Sequence, residues 1–437
     1  MRKILSGRRG SGRGRFQMVV NTAIQTTYKQ TPSATNQFYF PIVDGTDHMG
    51  YTIAFTIDWG DGQTSNVDSS NYATACLHTY ASSGTYTISA EGNIAGFCFW
   101  NINIPGKSDG KKLLEITQWG DLKLTGGEFG TAGQTFRNCT GLSTISAGDT
   151  PWFPPHATFS TRNNKGARGL FSSCTSLSTI NNIANWDVSQ CDILEIMFSG
   201  CIKLAYGTNA LGPLGFALWD VSNCYRFERM FNGCVLMNAK MFPNVGANTG
   251  TLSLDFKMMF NDCAVFDNVN SASMNSWDME YATDMYMMFE DCTIFNDDIT
   301  AWDTKRVTTM FSMFENAQNF NQNISGWDTA NVVDMRNMFK GSSNFDQPIG
   351  NWDVDAWNIY TVGNTPLTNA ASTFTLSTVN YDALLIAWDA YNFASWPGGT
   401  VDFGNSQYSL VSPGNAVANA RASLALKWGT LNDGGGI

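Results

Sequence analysis

A Trp-Asp pair recurs along the middle of this chain, at Trp186-Asp187, Trp219-Asp220, Trp277-Asp278, Trp302-Asp303, Trp327-Asp328 and Trp352-Asp353. In the first five a Phe stands twelve residues after the Trp: Phe198, Phe231, Phe289, Phe314 and Phe339. Met precedes each of these, and also Phe260, while Phe136 and Phe171 mark two weaker leading copies. The eight Phe are 35, 27, 33, 29, 29, 25 and 25 residues apart. A unit this short cannot bury its own apolar face, so its neighbours in sequence must stack on it.

The copies can be compared position by position from that Phe. Six residues later come Leu142, Leu177, Leu204, Met237, Phe266, Phe295, Phe320 and Phe345, and four before come Leu194, Phe227, Phe256, Met285, Met310 and Met335. A position that stays apolar in every copy points inward. Offsets −4, −1 and 0 predict a short helical turn, and residues 299–302 or 324–327 a short extended segment. One strand and one helical turn per copy predict an α/β leucine-rich-repeat solenoid, with Met and Phe in place of Leu. The period fails over 367–437. There 381–388 and 416–427 read as amphipathic helices and 400–403 as a strand, the pattern of a helical C-terminal cap. Residues 113–130 are the expected cap at the other end.

Residues 17–104 instead alternate apolar and polar side chains between turn residues, which predicts a small Ig-like antiparallel β-sandwich. The expected class is therefore mostly β with short helices. The expected order is a basic flexible arm (1–16), a sandwich (17–105), a polar linker, the solenoid (113–366) and the cap (367–437).

Charge is scarce, at 14% of residues, and uneven, with a formal net charge of −11. Arg2, Lys3, Arg8, Arg9, Arg13 and Arg15 crowd the first fifteen residues with no acid among them. An acidic body with a short basic arm lacks the basic face of a nucleic-acid-binding domain. No stretch is long and apolar enough for a membrane span. No apolar run follows the basic start, so a secretory signal is not expected. The chain is then expected either to be intracellular at birth or to be released by another route, such as packaging into a virus particle and lysis.

Catalytic and metal-binding patterns are sparse. The only histidines are His48, His78 and His156. No nucleophile elbow or convincing Ser/His/Asp grouping occurs, and His78 reads as a packing residue. Cys139, Cys174, Cys201, Cys234, Cys263 and Cys292 all sit three residues after the aligned Phe, where later copies have Ala317 and Ser342. Cys191 and Cys224 share a second position, occupied later by Val307 and Val332. Exchange with Ala, Ser and Val suits small buried thiols rather than disulfides or a zinc stack. Cys76 and Cys98 are left as a candidate pair. Asp297-Asp298 reads as a solvated loop. The column Asp187, Asp220, Asp278, Asp303, Asp328 and Asp353 has two readings. Each Asp either closes a local turn on its own backbone, or the row forms a calcium- or ligand-binding edge. The Trp column is read as core, against an outward sugar-stacking platform. No cofactor is expected other than calcium at that edge.

Asp58-Trp-Gly-Asp-Gly62, His78-Thr-Tyr80 and Gly84-Thr-Tyr-Thr-Ile-Ser89 resemble the PKD domain, over about 90 residues. That resemblance implies an Ig-like spacer in which Asp58 and Asp61 are structural. Residues 320–339, Phe-Asn-Gln-Asn-Ile-Ser-Gly-Trp-Asp through Met-Arg-Asn-Met-Phe, resemble the BspA-type leucine-rich repeat of bacterial surface proteins, as does the Asn-Asp-Gly-Gly ending. It implies adhesion without catalytic residues. The expected function is a non-catalytic structural or adhesion protein on a phage or virus particle, as head decoration or fibre. The arm would hold particle or capsid proteins, and the repeats a host-surface protein or glycan. A bacterial cell-surface adhesin is the alternative, and a virion glycan hydrolase a further one.

Overall fold

The computed structural model describes residues 14–24, 33–42, 53–94, 96–99, 107–124, 134–153, 166–205, 215–247, 252–268, 274–354, 374–391, 399–410 and 413–437. They fall into two compact units, Met1–Asp187 and Val188–Ile437.

In the first unit, the alternation along β1 (Phe16–Asn21) buries Phe16, Met18 and Val20 and leaves their neighbours half-exposed. Around it lie β2 (Gln37–Tyr39), β3 (Ala54–Asp58), β4 (Thr64–Asp68), β5 (Leu77–Thr79) and β6 (Thr85–Asn93). A one-turn helix α1 (Tyr72–Ala75) follows β4, and β7 (Leu113–Gln118), β8 (Thr144–Ile145) and β9 (Thr179–Ile180) come after β6. The main sheet runs β4-β3-β6-β1-β7-β8-β9, and β2 pairs with β5 in a second. Pairs from β4 to β7 are antiparallel, whereas β7, β8 and β9 run parallel. Phe16, Phe40 and Phe97 meet edge-on at the centre, Phe97 lying 5.3 and 5.0 Å from the other two. Gly60 turns the chain after β3 with φ +79°, and a Cβ there would lie 2.4 Å from the Thr87 carbonyl oxygen, so only glycine fits. A buried clip holds the loop before β2. Lys112 Nζ lies 3.5 Å from Asp109 Oδ1 and donates to the Gln37 carbonyl at 2.8 Å, and Asp109 accepts from Tyr39 N–H at 2.9 Å.

In the second unit the copies are built from turns. Phe198, Phe231, Phe260, Phe289 and Phe314 each donate a backbone N–H to the Met before the next Phe, at 2.9–3.0 Å. Offsets −4, −2 and +2 make the same bond one copy onward, as in Phe227 to Asp255, Arg229 to Lys257 and Gly233 to Asn261. This four-bond ladder repeats without change from the copy at Phe198 to the copy at Phe339. The rings follow it. Consecutive Phe lie 5.5–5.9 Å apart with interplanar angles of 3–10°. Phe266, Phe295, Phe320 and Phe345 form a second file at 5.9–6.0 Å. Trp277, Trp302 and Trp327 form a third, and their indoles are buried. The N–H of Trp302 donates to the Met274 carbonyl at 2.7 Å, and that of Trp352 to Ile324 at 3.1 Å. The Trp row therefore offers no outward stacking platform.

The expected fold class is corrected. Most described residues lie in turns, loops and short strands, and among the described residues no α-helix lies within a copy. The residue two before the Phe is left-handed in every copy of this unit: Ile196, Arg229, Met258, Met287, Ser312 and Asn337 have φ between 49° and 59°. A left-handed residue between offsets −4 and 0 breaks any helical turn there. Extended structure is equally short, as β10 (Leu254–Asp255) and β11 (Ala282–Asp284) plus single bridges. The copies are thus not strand-plus-helix units, and the leucine-rich-repeat solenoid is set aside. The expected sandwich is not a separate layer pair either, because its sheet continues through the parallel strands β7, β8 and β9. Nor is the C-terminal segment a helical cap. Alongside α2 (Thr378–Asp389) and α3 (Ala416–Trp428) it carries a parallel sheet of β12 (Gly399–Asp402) and β13 (Gly429–Asn432).

Phe289 sits fully buried in the middle of the central file. Its replacement by Ala is expected to cost about 3–5 kcal/mol. Urea unfolding should show this as a lower midpoint with an unchanged slope.

Candidate functional site

The Asp column is held by its own turns. Asp278, Asp303 and Asp328 each accept the backbone N–H two residues on, from Glu280, Lys305 and Ala330, at 3.1, 3.1 and 3.0 Å. Asp220 accepts the Ser222 N–H at 3.1 Å and the Asn244 amide at 2.7 Å. Burial pushes the Asp220 carboxyl up, but those hydrogen bonds outweigh it and hold it below the usual carboxylate range. Asp303 also pairs with Lys305 Nζ at 2.9 Å. Asp187 and Asp353 occupy the same place in their own copies and have partners too. Among the described residues no group of three or more His, Cys, Asp or Glu is arranged to hold a metal ion.

All ten cysteines are buried thiols, Cys76 and Cys98 included. The periodic thiol has a function in packing that composition does not announce. Sγ of Cys174, Cys234, Cys263 and Cys292 donates to the carbonyl of the Phe one copy earlier, at 3.0–3.1 Å. Ser342 makes the same bond to Phe314 with its hydroxyl. Burial pushes these thiols far above their ordinary range, which keeps them protonated as S–H donors to those carbonyls. His78 is buried and stacks on Trp59 at 4.8 Å, with Nε2 2.8 Å from Asp61 Oδ2. Of the arm, Arg15 is described, and it pairs with Glu91 at 3.1 Å. Arg2, Lys3, Arg8, Arg9 and Arg13 lie outside the described residues.

Three further features escaped the sequence reading. The first runs seven residues after the Phe. Asn238, Asp267, Asn296 and Asn321 each accept the backbone N–H of the equivalent residue one copy on, at 2.9–3.0 Å, and Asp346 passes the ladder to Ser377 at 2.8 Å. The recurrent Phe-Asn or Phe-Asp pair was its only signal. The second is a set of acids at different offsets. Asp255 and Asp297 are pushed up to about 6, chiefly by burial, and Glu290 to about 7 by burial with Glu315, Asp291 and Asp262 around it. Asp297 is not the solvated loop residue expected. It is buried and accepts from Asn268 at 2.7 Å.

The third is a row that stands three residues before the Phe and reads Glu195, Glu228, Lys257, Tyr286, Phe311 and Arg336. Glu195 is buried against Arg226 at 3.2 Å, and the other five are half-buried. Tyr286 and Phe311 stack at 4.9 Å, with Lys257 over the first ring at 5.1 Å and Arg336 over the second at 5.0 Å. Their ring faces are thus covered, and edges and charges are what this row presents.

Residues 152–267 and 254–374 match the model of one family, described as a Mycoplasma protein of unknown function, DUF285. Together the two stretches span just over half of the 437 residues. No curated protein and no solved structure matches the chain.

Two outcomes are expected. Carboxyls whose folded pKa is raised keep protons that the unfolded chain has lost, so stability is highest below about pH 4 for these groups and falls as pH rises through 6 to 7. The melting temperature should therefore be higher at pH 5.5 than at pH 8, and Glu290→Gln should flatten the difference. With the Asp column closed on its own turns, millimolar calcium should leave the melting temperature unchanged.

Proposed function

Since the chain belongs to the family described as a Mycoplasma protein of unknown function, DUF285, we propose a non-catalytic structural and adhesion protein, displayed on the outside of a phage or virus particle. Its repeats engage a host-surface protein or glycan, and its basic arm engages a particle or capsid protein. One observation carries this reading. The Met, Phe and Trp positions hardly change from copy to copy, whereas the row three before the Phe changes from Glu to Lys, Tyr, Phe and Arg. A constant interior under a changing outer row supports recognition of extended surfaces, as in other stacked-repeat proteins. Asp278 and Asp328 each accept a backbone N–H two residues on, which supports a turn-closing role for the Asp column rather than glycan hydrolysis.

The second reading, a bacterial cell-surface adhesin, draws support from the family description, which names a bacterium. Among the described residues no helix is long and apolar enough to cross a membrane.

Removing residues 2–15 separates the two. On the particle reading, the shortened protein should fail to co-sediment with particles while melting as the full chain does. Undiminished attachment would defeat the arm's role. Charge reversal at Lys257 and Arg336 in the full chain should weaken binding to host cells while the protein still melts cooperatively, at a lower temperature because Arg336 gives up its chelate to Asp334. Incubation with host polysaccharide should release no sugar.

A further inference from the structure

A sheet ends in backbone groups that a further strand could take, and such edges invite pairing between copies. In the first unit β4 closes one end of the main sheet. With five residues it is longer than β9 at the other end, and longer than β2 and β5 in the second sheet. Trp59 N–H donates to the Gln63 carbonyl at 3.0 Å, and the register pairs Ile57 with Ser65 and Phe55 with Val67. Ser65 and Val67 therefore bond to β3, and the backbones of Thr64, Asn66 and Asp68 point away from it. These three residues are exposed.

Asn71 lies across that edge. Its side-chain carbonyl accepts the Asp68 N–H at 2.9 Å, and its side-chain amide donates to the Asn66 carbonyl at 3.0 Å. Its own N–H donates to the Asp68 carbonyl at 3.3 Å. An Asx turn at Asp68, whose carboxylate accepts the Ser70 N–H at 2.8 Å, brings Asn71 back to the strand just left. One residue thus makes the bonds that a paired strand would make to Asn66 and Asp68. β2 is closed in the same manner from another part of the chain. Phe40 N–H to Cys76 and Tyr80 N–H to Asn36, both at 2.8 Å, turn the backbones of Gln37 and Tyr39 away from β5. Lys112 Nζ takes the Gln37 carbonyl at 2.8 Å and Asp109 takes the Tyr39 N–H at 2.9 Å.

The β4 edge beneath Asn71 is self-complementary. Two such strands laid antiparallel about Asn66 set Thr64 of each opposite Asp68 of the other. Outward N–H then meets outward C=O along the strand, with the two Asp68 carboxylates at opposite ends. We infer that Asn71 closes this edge in place of a neighbouring strand, and that without it two copies of the chain join β4 to β4. The first unit is thereby kept from pairing edge to edge where copies crowd together.

Sedimentation of the full chain across a concentration series tests this. Asn71→Ala should raise self-association at least about tenfold over the intact chain. Adding Asn66→Pro to that variant should abolish the gain. Proline removes the outward N–H at the centre of the pairing, and an edge strand tolerates it there. Thr64→Pro, at the first residue of the strand, replaces it should Asn66→Pro melt early. Amide exchange on dilute protein, where copies are apart, gives an independent reading. The Asp68 N–H should exchange at least about tenfold faster in Asn71→Ala than in the intact chain, while the Val67 N–H, bonded to β3, keeps its rate. An Asn71→Ala chain that associates no more than the intact one would overturn the inference. So would association that persists with the prolines, the mark of a partly unfolded chain, or an Asp68 amide equally fast in both proteins. None of these results depends on attachment to a particle, so the proposed display function stands or falls separately.

Discussion

Backbone N–H groups at offsets −4, −2, 0 and +2, each donating one copy onward, are the interaction on which the second unit rests. Those groups lie among fully buried Phe, Met and Cys side chains, where an unpaired donor would cost about 1–3 kcal/mol. The ladder satisfies them only if two residues per copy turn left-handed. At offset +2 that demand falls on Gly200, Gly233, Asp262, Asp291, Asn316 and Gly341, residue types that accept it readily. At offset −2 it falls on Ile196, Arg229, Met258 and Met287, which do not, at a cost on the order of 1–2 kcal/mol each. The strain persists because moving that one residue would break the bonds on either side of it.

Once the backbone is set, side chains can only follow its spacing. Rings 5.5–5.9 Å apart and within 10° of parallel are what identical residues must do when the chain beneath repeats at that step. The same logic explains the thiol. Each Phe carbonyl already accepts the N–H of its own Cys three residues on, and the Sγ of the next copy's Cys fills its other lone pair. Ala317 forgoes that second bond and Ser342 strengthens it, which is why the position tolerates both. Carboxylates obey the same spacing at a penalty. Where Asp or Glu fall at one offset in adjacent copies, as with Glu290 and Glu315, repulsion adds to burial and protons are retained.

The repeat, its register and its inward columns were legible because apolar identity at a fixed offset survives any backbone conformation. The helix expected at offsets −4 to 0 was not, because helical periodicity and a tight turn both bring −4, −1 and 0 to one side. Only φ at Ile196 or Met258 separates them, and neither residue type advertises a positive φ. The continuation of the first sheet into β7, β8 and β9 was hidden for a different reason. Two-residue strands such as Thr144–Ile145 and Thr179–Ile180 carry no alternation to read. At the candidate site, local turns at Asp278 or Asp328 could be read from residue type, since an Asx turn needs only its own backbone. The ladder through Asn296 and Asn321 could not, since it depends on which residue lies one copy away.

This difference between local and cross-copy bonds bears on where new surface can arise. Residues that bond across copies, such as Asn296, Cys263 and Phe289, are constrained by two neighbours at once, and a change in one copy disturbs the next. The outer row at Lys257, Tyr286, Phe311 and Arg336 also touches its neighbours, but through faces and charges that exchange freely. Arg336 adds a chelate to Asp334 at 2.9 and 2.7 Å within its own copy. Such a row can alter its character one copy at a time while the ladder beneath it keeps the same four bonds. The cooperative interior is thus physically separated from an edge that can vary independently of it.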